Sequence, residues 1–200
     1  MTPDYFLTID KPSTAEFKDR GSKFIAYAYS IADVTEFKEK LAALKKEHPK
    51  AVHHCFAYRL GTDGNTFRVS DDGEPSGSAG RPILGQIDSK QLTNILVVVV
   101  RYFGGTLLGV PGLINAYKAA TQGALQSATV VQKPVLIHYR LQFDYTMMNE
   151  VMRLIKQFDC VVVKQEAQLF CQIEIGIPKA RITEVQGRLK DLKGVEAEKF

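Results

Sequence analysis

Two hundred residues and 22.3 kDa fit one large or two small domains, and compact domains centre on about 100–150 residues, which favours two. A hydrophobic share of 45% with 24% charged residues excludes wholesale disorder, and the longest uninterrupted apolar run, residues 95–100, is far shorter than the roughly 18 residues of a membrane helix. The net charge of +4 is compatible with a polyanionic partner but falls short of the footprint of a dedicated nucleic-acid binder, and it divides evenly between the halves.

In chain order, residues 24–31 mix β-branched and aromatic types and predict a strand. Asp33 is placed to cap a helix whose apolar residues Val34, Phe37, Leu41 and Leu44 recur at steps of three and four, with Glu36 completing a capping-box pattern. Residues 54–60 predict the next strand, closed by the turn chemistry of Gly61-Thr-Asp-Gly64. A polar, glycine-rich stretch, residues 70–80, leads into a short helix near 82–87. Residues 95–103 are apolar up to Arg101, as in a strand covered on both faces. The Gly104-Gly105 pair ends it, and a helix starts near Pro111 with Leu113, Tyr117, Ala120, Ala124 and Ala128 as its buried stripe.

After Gln132-Lys-Pro134 the pattern restarts. A strand over 135–145, a helix carrying Met148, Val151, Leu154, Ile155 and Phe158, strands over 160–166 and 169–175, a helix with Pro178 in its first turn and a strand near Val195 spell β-α-β-β-α-β, the ferredoxin-like arrangement. The expected class is α+β with two domains, 1–131 and 132–200. Cys55, Cys160 and Cys171 include no C-x-x-C pair, so neither a disulfide framework nor a zinc ribbon is indicated. The start Met1-Thr-Pro-Asp shows no basic flank or apolar core of a secretory leader. A cytoplasmic protein with no membrane association, no metal and no cofactor is the expectation, while composition leaves the oligomeric state open.

Three clusters carry functional residue types. In the first, Asp71, Asp72 and Glu74 precede Ser76-Gly-Ser-Ala-Gly-Arg81. They would serve as a structural brace, as the edge of a phosphate or nucleic-acid contact at a helix start, or as a metal or acid–base centre. In the second, Arg101 ends an apolar strand before Gly104 and Gly105 without matching a Walker or dinucleotide fingerprint. It must pair with the acidic loop or face a ligand phosphate, while Tyr102 and Phe103 would either stack bases or join the core. In the third, alternation puts His53 and Cys55 on one strand face, where a nucleophilic dyad or a merely buried thiol is the choice.

Asp71-Asp-Gly-Glu-Pro-Ser-Gly-Ser-Ala-Gly-Arg-Pro-Ile-Leu84 and Val98-Val-Val-Arg-Tyr-Phe-Gly-Gly-Thr-Leu-Leu-Gly109 resemble the two signature segments of the IMPACT/YigZ family. Arg20-Gly-Ser-Lys-Phe-Ile-Ala26 and Ala51-Val-His-His-Cys-Phe-Ala57 are similar to its two weaker motifs, in the family's order. The resemblance implies an N-terminal α+β domain like the second domain of a small-subunit ribosomal protein and domain IV of elongation factor G, followed by a ferredoxin-like domain like domain V of that factor. It implies a role in translation, since eukaryotic members regulate it by binding a scaffold that activates a stress kinase, and RNA or ribosome association is the usual proposal for bacterial members. Two positions depart from the family pattern: Leu107 stands where Lys is usual and Asn115 where Arg is common, removing two cations from the loop best placed to meet phosphate.

The reading that follows is a non-enzymatic translation-associated regulator binding RNA or the ribosome through its N-terminal domain. Its binding residues would be Asp71, Asp72, Glu74, Arg81, Arg101, Gly104 and Gly105, with Lys23 and Lys118 as further cations. One alternative is a hydrolase or phosphate-processing enzyme using Cys55 and His53 or the acidic loop. The other is a regulator docking a protein partner through the C-terminal domain.

Overall fold

A computed structural model describes residues 3–167 and 170–200, which form two units: Phe6–Lys133, and Pro134–Phe200 together with residues 3–5. The first contains β1 (Tyr5–Ile9), β2 (Ser13–Asp19), β3 (Ser22–Ser30), α1 (Val34–Glu47), β4 (His53–Leu60), β5 (Thr66–Ser70), α2 (Gly80–Ser89), β6 (Ile95–Tyr102), α3 (Gly109–Ser127) and β7 (Val130–Pro134). Five strands form one antiparallel sheet in the order β2-β3-β6-β4-β5, and β1 pairs separately with β7.

The run of valines in β6 explains the layering. Ile95, Val97 and Val99 join the core shared with α2 and α3, while Leu96, Val98 and Val100 join Ile31, Phe37 and Leu44 in a second core shared with α1. A strand with helices on both faces has no polar side to offer, so the alternation expected of a half-exposed strand is absent. The α1 cap forms as its sequence predicts: the Asp33 carboxylate accepts from the N–H groups of Thr35 (2.7 Å) and Glu36 (2.9 Å), and Glu36 accepts from Ala32 N–H.

The α3 stripe is buried at Leu113, Tyr117, Ala120 and Ala124. Ala128 lies past the helix end, in extended backbone (ψ 140°), and so leaves the stripe. Periodicity passes over β2, β5 and β7 because these short, peripheral strands carry polar side chains such as Glu16, Lys18, Arg68 and Lys133 at exposed positions, and over β1 because it is only five residues long and buries its one polar side chain, Thr8. The β2–β3 turn is nevertheless written in the sequence. Arg20 and Gly21 both have positive φ (44° and 79°) between the paired residues Asp19 and Ser22, the geometry of a two-residue type I′ hairpin.

The second unit runs β8 (Leu136–Phe143), α4 (Met148–Gln157), β9 (Val161–Ala167), β10 (Cys171–Pro178), α5 (Ile182–Asp191) and β11 (Val195–Lys199). Its antiparallel sheet has the order β11-β8-β10-β9, the ferredoxin-like arrangement. The first strand stops at Phe143, short of the predicted 145, because the Asp144 side chain accepts from Thr146 N–H (2.9 Å) and opens a 3-10 turn. Pro178 does not start a helix. It pairs opposite Leu136 as the last residue of β10, Lys179 N–H binds Val135 carbonyl (2.8 Å), and a 3-10 turn intervenes before α5. Leu169, predicted to open β10, lies outside the described residues. No described helix is long and apolar enough to cross a membrane.

Candidate functional site

Asp71 organises the acidic loop from within. Its Oδ2 accepts from Gly77 N–H (2.8 Å) and its Oδ1 from Ala79 (3.0 Å) and Gly80 (2.8 Å), the donors left free where α2 begins. Burial pushes the Asp71 carboxyl up, but the N–H groups of Gly77, Gly80 and Ala79 together outweigh this and hold it below the ordinary aspartate range. Because the folded value is the lower one, this stabilisation is present above about pH 4, the ordinary aspartate value, and is lost as pH falls through the folded value. Asp71→Asn is expected to cost about 1 kcal/mol at neutral pH and to flatten the acid limb of a stability–pH profile measured by urea unfolding.

Asp72 sits at φ 43° and turns its Oδ2 to His54 N–H (2.7 Å), bracing the loop against β4. Gly80 could carry no side chain, because a Cβ there would lie 2.8 Å from Ser70 N.

Glu74 takes the opposite direction, into the protein. It is 9% exposed, and Arg101, buried to 5%, donates from Nη1 to Glu74 Oε1 at 2.6 Å. Tyr117 on α3 donates its hydroxyl to the same oxygen at 2.7 Å. Arg101 Nη2 reaches Ser22 Oγ (3.5 Å), which accepts Gly104 N–H at 3.2 Å. Arg101 Nε has no acceptor among the described residues; the guanidinium lies instead over the rings of Phe24 (5.3 Å) and Phe103 (5.6 Å). The two signature segments and the weak motif at 20–26 therefore meet in one buried network. Sequence reasoning misses Tyr117 as a polar member because its position in the α3 stripe explains it as core.

His53 and Cys55 do not form a dyad. His53 Nδ1 engages Asp72 carbonyl (2.7 Å), while the Cys55 thiol donates to Asp71 carbonyl (2.9 Å) and lies 3.3 Å from Tyr117 hydroxyl. Burial pushes the Cys55 thiol far above its ordinary value, so the thiolate a nucleophile needs does not form. Burial also raises half-buried Cys160, to about 11. Native protein at pH 8 is therefore expected to take up almost no iodoacetamide at Cys55, with all three thiols labelling once it is unfolded, as intact mass would report. The three acidic side chains diverge, and among the described residues no three His, Cys, Asp or Glu converge as a metal would require.

The surface over this network combines exposed backbone and cations with the side chains of Phe103 and Leu107. Gly104 is pressed onto the hairpin tip: a Cβ on it would stand 1.9 Å from Gly21 C. Gly105 (φ 86°) turns the chain outward, and residues 103–107 are exposed. Arg81 is exposed in the first turn of α2 and Lys118 on α3, each without an ion-pair partner among the described residues. Lys23 instead pairs with Glu16 (2.7 Å). Tyr102 is held through its hydroxyl by His48 Nδ1 (2.8 Å), which leaves Phe103 as the exposed aromatic of the pair.

An α+β unit whose acidic loop, glycine turn and hairpin tip are joined by a buried Arg–Glu–Tyr network is the class of protein defined here, and the comparisons give it a family. Residues 20–125 match the Impact N-terminal domain. The chain is 35% identical to the IMPACT family member YigZ of Escherichia coli over 182 residues, covering 90% of this chain and 89% of that one. It is 34% identical to the IMPACT family member YvyE of Bacillus subtilis over 151 residues, covering 76% and 69%. A crystal structure of a hypothetical protein superposes with a TM-score of 0.79 at 32% identity, covering 98% of this chain and 97% of that one. The chain belongs to the IMPACT family, as its motifs imply, and has the two-domain α+β fold.

Proposed function

We propose that the protein is a non-enzymatic regulator associated with translation and that its N-terminal unit contacts RNA or the ribosome. Asp71, Asp72, Glu74 and Arg101 shape the contact surface, and Arg81, Gly104 and Gly105 form part of it. Family membership supports the link to translation. The observation that most supports a binding role is the use made of the signature side chains. The carboxylates cap, brace and pair, the thiol is sealed, and what reaches solvent includes a glycine turn and the cations Arg81 and Lys118. No Asp or Glu occurs between Asp88 and Asp144, so β6, the turn and α3 contribute no repulsion toward an anionic partner.

Ribosome co-sedimentation and RNA mobility shifts over a salt series test this. Association is expected at low salt and should weaken as salt rises, with Arg81→Ala reducing the salt slope by about one. Absence of association at low salt, or a slope unchanged by Arg81→Ala and Lys118→Ala together, would contradict it.

A further inference from the structure

The same turn carries a feature that phosphate recognition does not use. Phe103, Leu107, Val110 and Ile114 are exposed at 48%, 82%, 45% and 36%, although all are large and apolar and lie within residues 103–114. Helical spacing puts Val110, Ile114 and Lys118 along one flank of α3, away from the buried Leu113, Ala120 and Ala124. Phe103 is fixed at the other end by its ring against the Arg101 guanidinium. Exposed apolar side chains concentrated in one stretch, on elements held rigid from below, are characteristic of contact surfaces.

The rim is cationic. Lys118 follows Ile114 by one turn, and Arg20 stands at the hairpin tip that touches Gly104, both exposed and without an ion-pair partner among the described residues. Leucine, valine and isoleucine neither stack well on bases nor bind phosphate, so an RNA would leave Leu107 and Ile114 unsatisfied. A second copy of the chain would set Arg20 and Lys118 of each molecule against the other's.

We infer that residues 103–118 form a protein-docking surface for a segment that presents apolar side chains bordered by carboxylates, such as an acidic amphipathic helix. This shares with the reading above the N-terminal unit, the Gly104-Gly105 turn and Lys118; the partner is protein in place of RNA.

The full chain, labelled with ¹⁵N, would be titrated with three probes: an amphipathic leucine–glutamate helical peptide, its leucine–lysine counterpart and a single-stranded RNA oligonucleotide. The leucine–glutamate peptide should shift amides of residues 103–118 and the tip residues 19–22, and bind about tenfold more tightly than the lysine peptide. Leu107→Ser and Ile114→Ser should each weaken it about tenfold while leaving the remaining spectrum in place. The inference is overturned if that peptide leaves these amides unmoved or binds equally well to Leu107→Ser. It is overturned equally if RNA shifts the same amides with Leu107→Ser indifferent, a result that would leave the RNA reading standing, or if the patch signals respond to dilution alone, which would mark self-association.

Discussion

Glu74→Ala is expected to destabilise the N-terminal unit by about 3–5 kcal/mol, the cost of leaving a buried guanidinium without its counter-charge. Arg101 cannot turn to water: it is buried, wedged between Phe24 and Phe103, and its remaining polar contact is a long one to Ser22. Tyr117 loses its acceptor in the same step. At roughly 2–4 °C per kcal/mol for a chain of this size, the calorimetric transition of the N-terminal unit should fall by about 10 °C. The unit containing β8–β11 should melt unchanged, since its core of Leu141, Phe143, Val151, Ile173 and Val185 includes no member of the network.

The double variant Glu74→Leu with Arg101→Met should recover most of the loss, because a buried ion pair replaced whole by apolar side chains is close to neutral. Recovery of stability without recovery of ribosome or RNA association would separate bracing from shaping. Tyr117→Phe should cost only about 1 kcal/mol, removing one donor from an oxygen that keeps its guanidinium.

Gly104→Ala should be the second severe change, for a reason unrelated to charge. The new methyl would stand 1.9 Å from Gly21 C and 2.1 Å from Ser22 N, with backbone on the other side and no flexible side chain to yield. Either the hairpin tip or the turn must move, at a cost of about 1–3 kcal/mol or more, and Gly104 N–H would draw away from Ser22 Oγ. Amide signals of residues 19–24 and 102–108 should shift together. Gly105→Ala offers the contrast. Its Cβ meets open space, so only the left-handed backbone (φ 86°) is strained, by about 1–2 kcal/mol, and the hairpin tip should stay in place.

What was legible in the sequence follows from local physics. The β6 valines, the Asp33 cap and the β-α-β-β-α-β pattern after residue 134 are each decided by a few neighbouring side chains, and the structure reproduces them. The weak strands β2 and β5 are held by pairing with their neighbours β3 and β4, a contribution that the periodicity of each strand's own residues does not register. Within the site, the composition of residues 71–81 announced a special loop but not the direction each carboxylate takes. Asp71 turns to its own loop and Glu74 to the core because β6 and α3 deliver Arg101 and Tyr117 beneath it. The intimacy of Gly21 and Gly104 is likewise a product of the β3–β6 pairing, invisible to a reading of either glycine alone.

Hydrogen–deuterium exchange of the full chain, with and without ribosomes at low salt, tests the central claim most directly. Contact through the N-terminal unit predicts added protection at residues 80–81 and 103–108 over the buried network, with residues 134–200 unchanged. Protection confined to residues 134–200, or none anywhere despite saturating ribosomes, would contradict it.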